Sequence, residues 1–530
     1  MKKWICGILL CFVMLPLISA GGGQTRQQTA QQPQRRPPVT VPLAQPITLN
    51  VMARADNQVS VDWDGMGFWQ LMERETNVKV NWDITVGADD YFTKLNMAFI
   101  SGTYPDVFMG FSHNASTIIA EYGVQQGLIL RLDDYFNNEY LPNYYGPLSS
   151  RPMSLNQNTA ADGHMYVFGR LFDAGIPQYG VLIMNHKLLT DNGIRVPNAN
   201  GMSFAEFEQT LRSLKAASPD IIPLSMQFDE QYRGMSTLAG IWGKLAVPGH
   251  FTVDNNDRVY CTAATPEFRS FIEWLNMAYR EGLVDLEFIS QDVTTYASKV
   301  QSRRVGFWIS HRITGSVTSF PNDENEAVVI SPPLRPNTKP EWRFTPDAGM
   351  GNDGASVTIT NRYISETMAW LNNQYKPINQ LQSRFGVLGM QTEIFEGRFR
   401  MMGVDRETRD HRQDCPAAMG LTMMFGDQVS QLYTLNAAQL ESVSLNDVYR
   451  QFWPKHAPDH IWRGSLQQSD SEEAARLYVD IKRYIDESLT SFIMNGVTDT
   501  SWNAYLGIFR DLRVDRYIEL MQKQFENYYF

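Results

Sequence analysis

Cysteine is scarce, with four residues in a chain of 530. Cys6 and Cys11 lie in the apolar leader, which leaves only Cys261 and Cys415. Two cysteines cannot staple a chain of this size or build a cysteine-rich metal site, so they either pair once or stay as buried thiols. Positive charge is also short: 46 Lys and Arg face 57 Asp and Glu, for a net charge of −11. That balance excludes the basic face a nucleic-acid binder needs. Long apolar runs are missing everywhere except at the very start, which excludes an array of membrane-spanning helices. No Walker-type phosphate loop, G-x-S-x-G elbow or H-E-x-x-H pair occurs. A glycosidase would need two paired carboxylates, but with 57 acidic residues some pair always looks suitable, so the count decides nothing.

The composition present is that of a folded globular protein: 43% apolar, 19% charged and 12% aromatic. A single core rarely grows past roughly 250–300 residues, so 530 residues point to two lobes. Met1-Lys2-Lys3 is a short basic segment, Trp4 to Ile18 is apolar, and Ser19-Ala20-Gly21 supplies small residues for cleavage. Residues 1–20 therefore read as a secretory signal, the alternative being a retained transmembrane anchor. Losing Lys2 and Lys3 takes the charge from −11 to −13. Residues 21–46, rich in Gln and Pro, have no apolar periodicity and are predicted to be a disordered tether.

From Ile47 the pattern changes. Ile47, Leu49, Val51 and Ala53 alternate, as do Val78, Val80, Trp82 and Ile84, and Pro105 to Phe108 reads as a short buried strand. Between them lie a short helix ending near Asn77 and a second one, capped by Asp89 and stopped by Gly102. The resulting β-α-β-α-β order implies an α/β protein with a parallel sheet. Further strands are predicted at 165–168, 181–184, 305–309, 328–330 and 355–359. Ser203 with Glu206 forms a capping box, Thr265-Pro266 opens another helix, and Ser469 with Glu472 is expected to cap the last helical stretch. His456 and His460 stand four apart, but Pro454 and Pro458 argue for a loop and against a helical metal site.

Several ordered segments carry a family resemblance: Glu73 to Val78 (ERETNV), Ile100 to Val107 (ISGTYPDV), Gly127 to Tyr135 (GLILRLDDY), Ala161 to Tyr166 (ADGHMY) and Asn185 to Ile194 (NHKLLTDNGI). Phe492 to Gly496, Trp502 to Tyr505 and Tyr528 close the series. Together they resemble the extracellular solute-binding proteins of ABC importers, in the group holding the maltodextrin- and alginate-oligosaccharide-binding proteins. The long, lipoprotein-type members are the most similar. The resemblance implies a type II periplasmic-binding-protein-like fold: two discontinuous α/β lobes joined by hinge strands. The expected division is 47–168 with about 331–390 for the N-terminal lobe, and 169–330 with about 391–530 for the C-terminal lobe. Crossings are expected near Gly169 and Ile330.

The function so implied is non-catalytic capture of an oligosaccharide in the interlobe cleft by hinge closure, for delivery to ABC importer permease subunits. The alternatives are a secreted carbohydrate-active hydrolase, or the same fold taking a peptide or another small metabolite. No cofactor is expected, and the chain is expected to be a monomer outside the cytoplasm, periplasmic or extracellular, with N-terminal membrane tethering left open. Gly21 stands where such lipoproteins carry a cysteine, so lipid attachment there lacks its thiol. Ala216 to Leu224 keeps only Asp220 of the family's acidic calcium loop, too few oxygens for that ion. Sugars need flat aromatic faces and polar arms. The candidate ligand-binding residues are Phe111, His113 and Asn114 after the third strand; Gln227, Asp229, Tyr232 and Trp242 after the Leu224 strand; Trp308, His311 and Arg312; and Trp342 and Asn352 at the second crossing.

Overall fold

The computed structural model describes residues 32–529 except 56–58, 111–114, 174–179, 229–232, 245–246, 248, 311–312, 314–317, 319–325, 343–350, 403–410, 436 and 458–460. The strands, in chain order, are β1 (Ile47–Ala55), β2 (Val78–Val86), β3 (Val107–Met109), β4 (Phe168–Phe172), β5 (Val181–Met184), β6 (Ile222–Ser225), β7 (Phe251–Val253) and β8 (Val259–Cys261). They continue with β9 (Val305–Ser310), β10 (Val328–Ile330), β11 (Gly351–Val357), β12 (Thr392–Phe395), β13 (Arg398–Met401) and β14 (Met423–Met424). Two principal sheets form, with strand orders β14-β4-β11-β3-β1-β2 and β10-β5-β9-β6. The architecture is the expected α/β one, with two lobes.

In the first lobe the alternating pattern of β1 puts Leu49, Val51 and Ala53 on one face, where they join a core built around four indoles. Trp69 lies 5.4 Å from Trp63, 4.5 Å from Trp82 and 6.1 Å from Trp370. The helix Gly67–Thr76 delivers Trp69 and ends at Asn77 in the left-handed region, φ 58°. The helix Ala88–Ser101 is entered through Gly87, so Asp89 stands in its first turn and does not cap it; Gly102 ends it as expected, at φ 73°.

The second lobe follows its caps closely. Ser203 Oγ accepts from Glu206 N at the start of the helix Phe204–Ala217, and Thr265 Oγ1 accepts from Phe268 N before the helix Pro266–Arg280. The helix Gln468–Asn495 starts ahead of Ser469, which therefore sits inside it, and carries Ile481, Ile485 and Leu489 into the same core. Cys261 belongs to this core and Cys415 to that of the first lobe, and both are buried thiols outside any disulfide. Burial pushes the Cys261 thiol up to about 12.

Three expectations about organisation need correction. First, β4 lies in the first sheet, so the crossing falls after Phe172 and not near Gly169. Gly169 stays within the strand, its N–H bonded by Tyr144 Oη and its carbonyl by the Tyr375 hydroxyl. Second, β14 pairs in parallel with Leu171–Phe172, and Phe399, Val429 and Tyr433 pack on Phe385. The segment from 391 to about 435 therefore lies with the first lobe and not the second. Third, residues 32–46 are not loose. The Gln32 amide works like a strand's peptide group: Nε2 donates to the carbonyls of Gly127 (3.3 Å) and Ile129 (3.1 Å), and Oε1 accepts from Arg131 N (2.9 Å). The Arg36 carbonyl accepts from Tyr140 Oη and Ser365 Oγ, and Leu43 N donates to Thr76 O. Polar side chains satisfying main-chain groups hold this strap, so its lack of apolar periodicity was no guide.

Gly354 is the closest approach within the first sheet, where a Cβ would run into the Phe168 carbonyl oxygen of the neighbouring strand. Gly354→Ala is therefore expected to cost about 3 kcal/mol by overpacking. Thermal denaturation should show a clearly lower midpoint, and an unchanged midpoint would contradict this strand pairing.

Candidate functional site

The two sheets meet end to end. β1 and β3 run parallel, β11 runs antiparallel to β3 and β4, and so the inner ends are Ala55, Met109, Phe172 and the start of β11. The chain leaves the first sheet at Phe172 and enters the second at Val181, which pairs with Ser310 at the end of β9. It leaves again at Ile330, opposite Leu182, and returns at Gly351. Both crossings thus join the inner edges, and β3, β6 and β9 end on that side of their sheets. Tyr449 pins it: its hydroxyl accepts from Leu182 N (3.0 Å) and donates to Ile330 O (2.5 Å).

Seven of the candidate residues, Phe111, His113, Asn114, Asp229, Tyr232, His311 and Arg312, lie outside the described residues, although the strand ends that carry them meet at this junction. Asn352 is in β11, at the returning crossing. Gln227 is buried and occupied locally: its Oε1 accepts from Arg233 Nε (3.0 Å) and its main chain bonds Arg233 and Met235, closing the loop. Beneath it, Lys299 Nζ bonds both Asp285 oxygens (2.9 and 2.8 Å) and Gln291 Oε1 (2.9 Å), while Ser225 Oγ donates to Asp285. This network fixes the inner edge of the second sheet.

The three tryptophans are not platforms. Trp308 is in the second lobe's core, within a strand buried on both faces. Trp242 packs between Phe204, Phe271 and Trp274, with the Arg335 guanidinium 4.6 Å above its ring. Trp342 packs beside the crossings, its Nε1 donating to Gly180 O (3.0 Å) and its ring against Tyr449. Each fills space that would otherwise be a cavity, the commoner use of an indole.

A cavity of about 260 Å³ is walled by both lobes: Asn158 and Tyr166 from the first, Trp462, Arg463, Ser465 and Gln524 from the second. Asn158 Nδ2 donates to Tyr144 Oη (2.9 Å) and Val167 O (3.0 Å), but its buried Oδ1 has no partner among the described residues. Burial and the Asp162 carboxylate, which accepts from the Tyr166 hydroxyl at 2.7 Å, push that phenol's pKa up, so it stays a donor. Trp462 is 38% exposed, touching Tyr478 only edge-on. An open indole face, an unused acceptor and hydroxyl and amide groups suit a polyhydroxylated ligand. The sequence reading missed this set, because Trp462 lies in the irregular stretch after Pro454 and Pro458 and belongs to no motif. Trp462→Ala is expected to leave the melting midpoint nearly unchanged and to cost a bound ligand about 2 kcal/mol. Calorimetric titration measures this, and an unaltered affinity would remove the cavity from the site.

The model of the family described as bacterial extracellular solute-binding protein matches residues 58–380. The fructooligosaccharide ABC transporter substrate-binding protein FusA of Streptococcus pneumoniae is 23% identical over 521 residues, 92% of each chain. Among solved structures, FusA in complex with kestose superposes with a TM-score of 0.77 at 19% identity, over 91% of this chain and 99% of that one. A human-milk-oligosaccharide (HMO) binding solute-binding protein from Bifidobacterium longum infantis gives 0.78 at 17%, over 92% and 99%. These likenesses agree with the two sheets joined at their inner edges, and with the family match over most of the chain they establish that this protein belongs to the bacterial extracellular solute-binding proteins.

Proposed function

We propose that this protein captures an oligosaccharide between its lobes and presents it to the permease of an ABC importer. Family membership makes it an extracytoplasmic binding protein and not an enzyme, so the hydrolase alternative falls. The oligosaccharide reading is supported by the length of the FusA likeness, 92% of both chains. The observation that carries it is the cavity walled by both lobes, with the exposed Trp462 face and the Asn158 oxygen that has no partner among the described residues.

A ligand touching both lobes favours their closed arrangement by its differential affinity for that state. Rotation would act at the crossing segments, which Tyr449 and Trp342 tie together. The permease then distinguishes loaded from empty protein by shape. The protein would work as a monomer, held near the importer through its N-terminal segment.

A thermal-shift screen over glycans and peptides tests this. A true solute at ~100-fold above its Kd should stabilise the protein by about 2.7 kcal/mol. Stabilisation by peptides, with none by any glycan, would overturn the reading.

A further inference from the structure

The second lobe's wall of the cavity is built on one short turn, residues 462–465, and the helix Val514–Tyr529 fastens that turn residue by residue. Gln524 Nε2 donates to Trp462 O (3.2 Å) and to Gly464 O (2.7 Å). Asn527 Nδ2 donates to Ser465 O (2.7 Å), and Arg463 Nη1 donates to Tyr528 Oη (3.2 Å). Gln524, Asn527 and Tyr528 stand three and four positions apart, so they share one face of the helix. Gly464 marks the closest approach: a Cβ there would fall 1.9 Å from Gln524 O and 2.8 Å from Tyr528 N. Only a residue without a side chain lets the turn lie this close. The Trp462 ring is 38% exposed and meets Tyr478 edge-on, so its place in the cavity is set by the backbone beneath it.

The same helix borders the opposite wall. It packs on the helix Pro152–Gln157 of the first lobe, and Asn158 closes the last turn of that helix, its N–H bonded to Leu155 O at 3.0 Å. The indole face and the Asn158 oxygen come from different lobes, yet both are spaced from one helix. A turn that had to order on binding would subtract its ordering cost from the affinity, whereas a turn already held does not.

We propose that Gln524 and Asn527 are positioning residues of the solute site, holding residues 462–465 so that the indole is in place before the solute arrives. This rests on the oligosaccharide reading above and adds which residues set its aromatic platform. Asn527 is exposed and does not line the cavity, so it acts through Ser465 and not by touching the solute. Gln524 lines the cavity and also carries the platform's backbone.

The test uses Asn527→Ala, Gln524→Met and Gly464→Ala, each in the full chain and each again combined with Trp462→Ala. Without ligand, amide hydrogen exchange at residues 462–466 should speed up in all three variants, most in Gly464→Ala, while the rest of the second lobe's core keeps its protection. For affinity, the probe is the tightest binder from a panel of neutral and acidic oligosaccharides, titrated calorimetrically. Asn527→Ala should weaken it by roughly fivefold, with a nearly unchanged melting midpoint. In the Trp462→Ala background the same substitution should cost almost nothing, because the platform it holds is gone. An equal loss in both backgrounds, an unaltered affinity or unaltered exchange would each overturn the positioning role while leaving oligosaccharide capture standing. Failure of every oligosaccharide to bind would overturn capture itself and this role with it.

Discussion

Tyr449 sits where a ladder of main-chain hydrogen bonds would otherwise end in the open. Its hydroxyl serves Leu182 and Ile330, the last pair in the ladder between the two strands through which the chain enters and leaves the second sheet. Trp342 leans on its ring and holds Gly180. The crossing strands are thus fixed at one end, while the lobes beyond them have separate cores. A molecule built this way can turn about its junction without disturbing either core. In the proposed capture, the inner strand ends would wall the space that opens and closes.

The regular parts were legible because they obey periodicity and capping chemistry. The strands β5 and β10 fall where alternation or a short apolar run put them, and the helices after Ser203 and Thr265 begin at their caps. Lobe membership was less legible. β14 is two methionines long and has no pattern to read; it joins the first sheet only because β4 offers an edge. In β4, Gly169 reads as a break, yet Tyr144 and Tyr375 satisfy its peptide groups and keep it in the strand.

The candidate site was hard to read from the sequence. The suspected loop residues after β3, β6 and β9 lie outside the described residues, and a tryptophan near such a loop can fill a core as easily as face a ligand. β9 is buried at all six positions, so alternation could not say which way Trp308 points. Trp462 and Asn158 come from segments far apart in the chain, and only the packing of the C-terminal helices against the first lobe brings them to one cavity.

The strap at residues 32–46 gives the two lobes unequal standing. Its partners Gly127, Ile129, Arg131, Tyr140, Ser365 and Thr76 all belong to the first lobe. Any pull on the N-terminus is therefore delivered to that lobe alone, and the second is free of it. In the capture proposed above, the first lobe would be the stator and the second the rotor. A tethered molecule would offer the importer one stationary face and one whose angle reports whether a solute is aboard.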